Sequence, residues 1–269
     1  MKTSHHEESK GEPREMSFWD HLEALRHTIF YALAAVAVCS VAIFFFKDTL
    51  TSLIFAPQNS NFIAYRALCQ LAQMLDFAML CPEAFSVEII NTRLASPFFT
   101  HMTASIYAGL VLALPVVLWL LWRFVAPALY LRERRFGKPL LAACVALFDA
   151  GVLLGYFVVF PLAFRFLGTY HFGDEVVNRI DLSSYMSIFY TTLLAMGLVF
   201  EMPVLAYSLS RIGIIHKAML KKYRRHAIVV ITVLGAIITP TSDPITLMLV
   251  SVPMYLLYEL SIKVTRRSG

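Results

Sequence analysis

The chain has little charge. Asp, Glu, Lys and Arg make up 15% of its 269 residues, where a soluble domain averages about 25%. That shortage, with 58% hydrophobic residues and a mean hydropathy of +0.67, argues against a soluble α/β enzyme. It also excludes disorder, because the chain has ample apolar material to bury. The chain lacks a Gly-rich phosphate loop, and HExxH and CxxC spacings are missing. This leaves no sequence basis for a nucleotide, metal or other cofactor site. The eight histidines, among them His5-His6, His21, His101 and His226, are scattered along the chain and form no ligand cluster. No serine or cysteine stands in the setting of an activated nucleophile. Cysteine is sparse as well: Cys39 and Cys144 lie in apolar runs and read as packed thiols, while Cys69 and Cys81 share one long polar connection.

What the chain does have is long apolar runs, the mark of an all-α polytopic membrane protein. Six transmembrane helices are expected, at about 28–46, 101–122, 140–160, 185–209, 227–238 and 245–262. Residues 1–27 form a polar N-terminal segment and 263–269 a tail. The first apolar run begins too late and is too long for a cleavable signal. The fifth run has only twelve residues, which rise about 18 Å. It must borrow neighbours, snorkel its arginines or sit in a thinned bilayer. Within the long connection 47–100, Arg66, Gln70, Gln73 and Asp76 recur every three or four residues. That spacing predicts an amphipathic helix lying on the membrane or capping the bundle rather than a seventh span.

The basic residues test this count. Eighteen of the 23 fall in the N-terminal segment, the loops after the second and fourth spans, and the tail; the exceptions are Lys47, Arg66, Arg93, Arg165 and Arg179. By the positive-inside rule both termini are cytoplasmic, and connection 47–100 is external. The net charge of +5 therefore reflects topology, and no single basic face suggests nucleic acid. Outside the cytoplasm Cys69 and Cys81 would meet an oxidising compartment. Their separation is compatible with a disulfide.

Three outliers remain. Glu201 falls inside the fourth span, where an ionisable group is costly and by default functional. Pro203 beside it supplies no N–H to Val199, which opens a polar notch. Asp149 in the third span reads more simply as a paired structural acid. Pro115, Pro203 and Pro253 interrupt three spans, which predicts a curved, cupped bundle. In the loop Arg123–Lys138, Glu133 is the one acid among five basic residues. On the residues alone its simpler reading is a solvated pair with Arg132, Arg134 or Arg135. The other reading is a carboxylate that takes an incoming guanidinium in a bidentate fork.

Several segments carry a resemblance. They are Phe18-Trp19-Asp20-His21-Leu22-Glu23-Ala24-Leu25-Arg26, Ala95-Ser96-Pro97-Phe98-Phe99-Thr100, and Trp122-Arg123-Phe124-Val125-Ala126-Pro127-Ala128-Leu129-Tyr130 followed by Glu133-Arg134-Arg135. Further along come Tyr156-Phe157 to Phe164, Phe200-Glu201-Met202-Pro203, Thr239-Pro240 with Asp243, and Pro253-Met254-Tyr255 with Glu259. In this order over residues 18–260 they resemble TatC, the polytopic core subunit of the twin-arginine protein translocase.

The resemblance implies a six-helix, glove-like fold in the bacterial inner membrane. It implies a receptor rather than an enzyme, binding twin-arginine signal peptides on the cytoplasmic side. Glu133 and Glu23 would take the two arginines, with Phe124, Pro127 and Arg26 shaping the site. Glu201 and Pro203 would line a concave groove that meets a polar residue of a single-span TatA- or TatB-type partner, and Asp243 would belong to the last external loop. It further implies self-association in a multi-copy complex, a proton-motive-force drive and no cofactor.

Two departures matter. The family pattern His-Leu-any-Glu-Leu-Arg has its acid where this chain has Ala24, and the acid here is one step earlier at Glu23. One step turns a helix by about 100°, so either Glu23 or Asp20 stands in for the missing acid. The family's Gln after the external loop is also absent, since Thr246 is followed by Leu247. The rival reading is a proton-coupled small-molecule transporter that would use Glu201 with Asp149. Such a protein should carry an internal repeat, and none is convincing. An intramembrane enzyme would need a catalytic pair or a metal motif, and neither is seen.

Overall fold

A computed structural model describes residues 18–59, 61–74, 87–125, 137–170, 179–211, 213–238 and 244–265. In order the helices are α1 (Phe18–Phe45), α2 (Lys47–Phe55), α3 (Ile63–Met74), α4 (Ser96–Val125), α5 (Gly137–Leu154), α6 (Phe160–Thr169), α7 (Leu182–Phe200), α8 (Met202–Arg211), α9 (Lys217–Lys222), α10 (Arg224–Ile238) and α11 (Pro244–Val264). Two short strands, β1 (Ile89–Ile90) and β2 (Ile180–Asp181), pair in parallel and join two distant connections.

Among the described residues five stretches are long and apolar enough to cross a membrane. They are His21–Phe45, Ser96–Phe124, Pro139–Thr169, Leu182–Arg211 and Leu247–Val264. The exception among the six expected runs is α10. Its 15 residues rise about 22 Å, short of a ~30 Å hydrocarbon core. It gains three residues over the expected run by starting at Arg224. That guanidinium turns back onto the last span, where Nη2 lies 2.7 Å from Glu259 Oε2. Tyr255 donates to the other oxygen of Glu259, and Tyr258 donates to the Leu220 carbonyl. The short helix is thus tied to its neighbour at the end where its length fails.

Of the three prolines expected to interrupt spans, Pro203 adjoins a break and Pro115 and Pro253 do not. Helix α4 runs through Pro115 and α11 through Pro253 without a break. The interruptions are a π-helical turn at Gly155–Val159 between α5 and α6, and a turn at Glu201 between α7 and α8. Each precedes a proline, Pro161 or Pro203, that supplies no N–H to the preceding turn. The Pro161 carbonyl accepts from the Tyr65 hydroxyl at 2.8 Å.

That bond is one of three that fasten a cap over one end of the bundle. The cap is made of α2, the turn Ala56–Gln58 and α3. Tyr156 donates to the Leu53 carbonyl at 2.7 Å, and Tyr185 donates to the Ile54 carbonyl at 2.6 Å. Arg66, Gln70 and Gln73 of α3 face outward while Tyr65 is buried, as an amphipathic capping helix requires. The rings of Phe160, Phe164, Tyr185 and Phe189 meet edge to face beneath it. Burial raises the Tyr65 hydroxyl pKa well above the usual tyrosine range.

The first two spans set the geometry of the opposite end by packing along their length. Helix α1 packs along α4 with Gly109 against Ser40. A Cβ at Gly109 would lie 2.7 Å from the Ser40 Cα and N, which are backbone atoms that cannot rotate away. Small residues at such crossings let membrane helices approach closely. Gly109→Leu is expected to force the two helices apart, at a cost of about 3 kcal/mol. It should lower the thermal midpoint of the detergent-solubilised protein by several degrees. A midpoint equal to wild type would show that this crossing is loose.

Candidate functional site

Close packing of α1 on α4 brings the first turns of α1 against the last turn of α4. Between them lies a 380 Å³ pocket lined by His21, Ala24, His27, Thr28 and Tyr31 of α1, and by Leu120, Arg123 and Phe124 of α4. The His21 and Phe124 rings stack at 4.3 Å, which closes one side. Arg123 reaches over the Trp119 ring at 6.0 Å. The walls supply aromatic faces and imidazoles, which suit a flat, delocalised cation such as a guanidinium. A carboxylate must come from beside the pocket, because no acid lines it.

Glu23 is the described acid beside this pocket. Its side chain is 73% exposed and sits 3.9 Å from His27, one helical turn on. It stands on the rim, while Ala24, one residue later, lines the pocket itself. The one-step offset therefore has a structural consequence. The position at which the family pattern places its acid faces the cavity, and the acid this chain carries does not. Arg26 is exposed on the outer side of the same helix. Phe124 is thus brought together with the α1 segment that holds Glu23 and Arg26. The side chain of Asp20 lies outside the described residues, as do Pro127 and Glu133.

The connection that carries Glu133 leaves directly from this pocket. Its two bases are held together, since Trp122 of α4 packs on Gly137 at the start of α5 so tightly that a Cβ on Gly137 would fall inside the indole ring. The sequence reading passed over this contact. A Trp and a Gly 15 positions apart carry no pattern of their own. Tyr31, likewise missed, lines the pocket one turn beyond His27.

The second expected site lies within the bundle. Glu201 occupies the turn between α7 and α8, and its N–H bonds the Leu198 carbonyl at 3.2 Å in place of the regular partner one turn back. The Cys144 thiol of α5 lies beside its carboxyl group. Glu201 Oε1 is buried and has no hydrogen-bond partner among the described residues. A buried oxygen left over in this way is costly unless a further donor completes it. Cys144, read as a packed thiol, is thus the thiol next to that acid. Asp149 is half-buried and makes no ion pair with a described residue. Asp243 lies outside the described residues. Cys69 on α3 is disulfide-bonded, Cys39 and Cys144 are free, and Cys81 lies outside the described residues. No group of three or more potential metal ligands occurs among the described residues.

The comparisons agree along nearly the whole chain. The family model for TatC, the Sec-independent protein translocase protein, matches residues 20–253. A TatC protein of Deinococcus radiodurans is 36% identical over 260 residues, covering 96% of this chain and 89% of that protein. One from Aquifex aeolicus is 32% identical over 248 residues, covering 92% and 93%. A crystal structure described as the twin-arginine translocase receptor TatC superposes with a TM-score of 0.66 at 31% identity, covering 91% of this chain and 97% of the other. A second, determined in the detergent DDM, gives a TM-score of 0.69 with 91% and 99% covered.

Proposed function

The chain belongs to the TatC family, and from that premise we propose that the pocket between α1 and α4 is where it receives the arginine pair of a signal peptide. It is a multi-pass membrane protein and a receptor subunit of the Sec-independent, twin-arginine translocase rather than an enzyme. The observation that carries the site is the stacked His21–Phe124 pair beside the departure of the Glu133 loop. One wall supplies aromatic and imidazole faces, and the loop supplies a carboxylate. An arginine needs both to leave water.

In this reading Glu133 takes one guanidinium, and Glu23 meets the second from the rim. Pro127 shapes the loop, and Arg26 follows the exposed side of α1. This end of the bundle is cytoplasmic, with both termini, and the capped end faces the periplasm across the bacterial inner membrane. The six spans are α1, α4, α5 with α6, α7 with α8, α10 and α11, with α10 as the short fifth. The signal's apolar segment would continue into the bundle toward Glu201 and Pro203. There a TatA- or TatB-type single-span partner would offer the donor that Glu201 Oε1 lacks. Asp243 belongs to the last periplasmic loop, and the Cys69 bridge is made to Cys81. The subunit works in several copies and draws on the proton-motive force.

A photo-reactive residue in place of Tyr31 tests the site. It should cross-link to a synthetic signal peptide with two arginines, and the yield should fall at least about ten-fold when both are lysine. Ala24→Glu, which puts a carboxylate into the pocket, should strengthen binding of the arginine peptide. Equal cross-linking of the lysine peptide would remove the arginine pair from this pocket.

A further inference from the structure

At the capped end, a groove of 550 Å³ separates the first turns of α4 and α7. It is on the other side of the molecule's length from the signal site. Ser96, Thr100 and Thr103 line it from α4, and Ser183, Ser187 and Thr191 from α7. Arg93 stands at its mouth, three residues before the apolar stretch begins at Ser96. The stacked pair Tyr107 and Tyr190, 4.2 Å apart, forms its floor. Only two helices and the turn before α4 wall it, so it opens sideways. Phe98 and Phe99 beside it are 59% and 56% exposed.

Two features of the groove call for a ligand. First, its hydroxyls are unspent. Elsewhere in the bundle Ser40, Ser105, Thr232 and Ser261 donate back to a carbonyl one turn earlier. The hydroxyls of Ser96, Thr100, Thr103, Ser187 and Thr191 make no hydrogen bond among the described residues. Donors left open toward a bilayer favour an acceptor that can enter with the lipid. Second, the charge is unspent. Arg93 makes no ion pair with a described residue, whereas Arg179 at the same end has Glu88 at 3.7 Å. The carboxylate close by, Asp181, is committed. It accepts from Thr92 Oγ1 at 2.6 Å and from the Ser183 N–H at 3.0 Å, and the Ser183 hydroxyl also donates to it. The Ser183 and Thr92 hydrogen bonds hold its pKa down to about 2, so it stays anionic.

We propose that this groove binds the phosphodiester of a membrane glycerophospholipid from the leaflet at the capped end. One guanidinium matches one phosphodiester charge, with a planar fork onto the two non-bridging oxygens. The neutral hydroxyls supply further donors to the same oxygens. The fixed charge of Asp181 disfavours a second anionic group. The acyl chains lie over Phe98 and Phe99, where amphipathic and aromatic residues mark the interface.

The test uses the whole protein, delipidated in mild detergent, with lipid retention read by native mass spectrometry. The probes are dioleoyl phosphatidylglycerol, dioleoyl phosphatidylethanolamine, dioleoylglycerol and inorganic phosphate. Wild type should retain both phospholipids and not dioleoylglycerol. Arg93→Gln should weaken retention at least about ten-fold, with an unchanged melting midpoint. The Thr103→Val, Ser187→Ala pair should weaken it less, and Arg66→Gln on the exposed face of α3 should leave it intact. Equal retention by Arg93→Gln, or of dioleoylglycerol, would overturn the proposal. So would competition by free phosphate at the lipid's own concentration, or capture of a partner helix rather than lipid by a photoprobe at Thr103.

Discussion

Replacing Glu133 with alanine is expected to lower affinity for a twin-arginine signal peptide by about two to three decades, and to stop export of a reporter that depends on that signal. The reason is the lack of any substitute in its loop. Residues 123–138 hold five basic side chains and this one acid. The pocket it adjoins has Arg123 in its wall and no carboxylate. Without Glu133 an incoming guanidinium would lose its hydration against a cationic surface. Glu23, largely exposed on the rim, is screened by water and makes a poor replacement. Glu133→Gln should fail almost as badly, since it keeps the size and loses the charge, and Glu133→Asp should retain part of the binding. A reporter carrying a Sec signal should pass unaffected. Full export by Glu133→Ala would sink the assignment of the arginine site to this loop while leaving family membership standing.

The second large effect is expected from a residue that touches no peptide. Gly137→Ala puts a Cβ inside the Trp122 ring, whose Cη2 is 2.7 Å from the ideal position. Either the indole swings out or the start of α5 moves. In both cases the base of the 126–136 connection shifts relative to the His21–Phe124 stack. A displacement of about 1 Å at a preorganised site can cost roughly a hundred-fold, so signal binding should fall between ten- and a hundred-fold. The midpoint of unfolding should fall little, because the collision lies at the end of the bundle. The obstacle is a side chain, so the second-site change Trp122→Leu should recover much of the loss. At Gly109 the obstacle is backbone, and no side-chain change at Ser40 would help. Measured peptide affinity for the two single variants and the double variant closes the cycle. Additive losses, with no recovery in the double, would show that the Trp122–Gly137 contact does not position the loop.

Several elements were legible in the residues alone. The long spans follow from apolar runs of sufficient length, since no water is present in hydrocarbon to satisfy other backbone arrangements. The capping helix at 63–74 was legible from four polar residues at helical spacing, because a stripe of that kind pays for burial only on its opposite face. Glu201 stood out because a carboxyl group within a span is rare. The shortness of the fifth helix was also plain. Its remedy was not, since Arg224 and Glu259 are 35 positions apart and pair only when α10 and α11 lie side by side.

The sequence by itself determined that the chain is an all-α membrane protein, and its motifs identified the TatC family. Composition and motif order are local properties and survive without coordinates. The tertiary structure decided which atoms complete one another. Pro115 and Pro253 stay within unbroken helices while the π-helical turn at Gly155–Val159 interrupts the third span. A proline removes a donor, but the surrounding packing determines whether the helix breaks. It decided that Tyr65, Tyr156 and Tyr185 fasten the cap through their hydroxyls. It also decided that Ala24 faces the pocket and Glu23 its rim. A helix turns about 100° per residue, and only the packing of α1 on α4 determines which side of that turn faces inward.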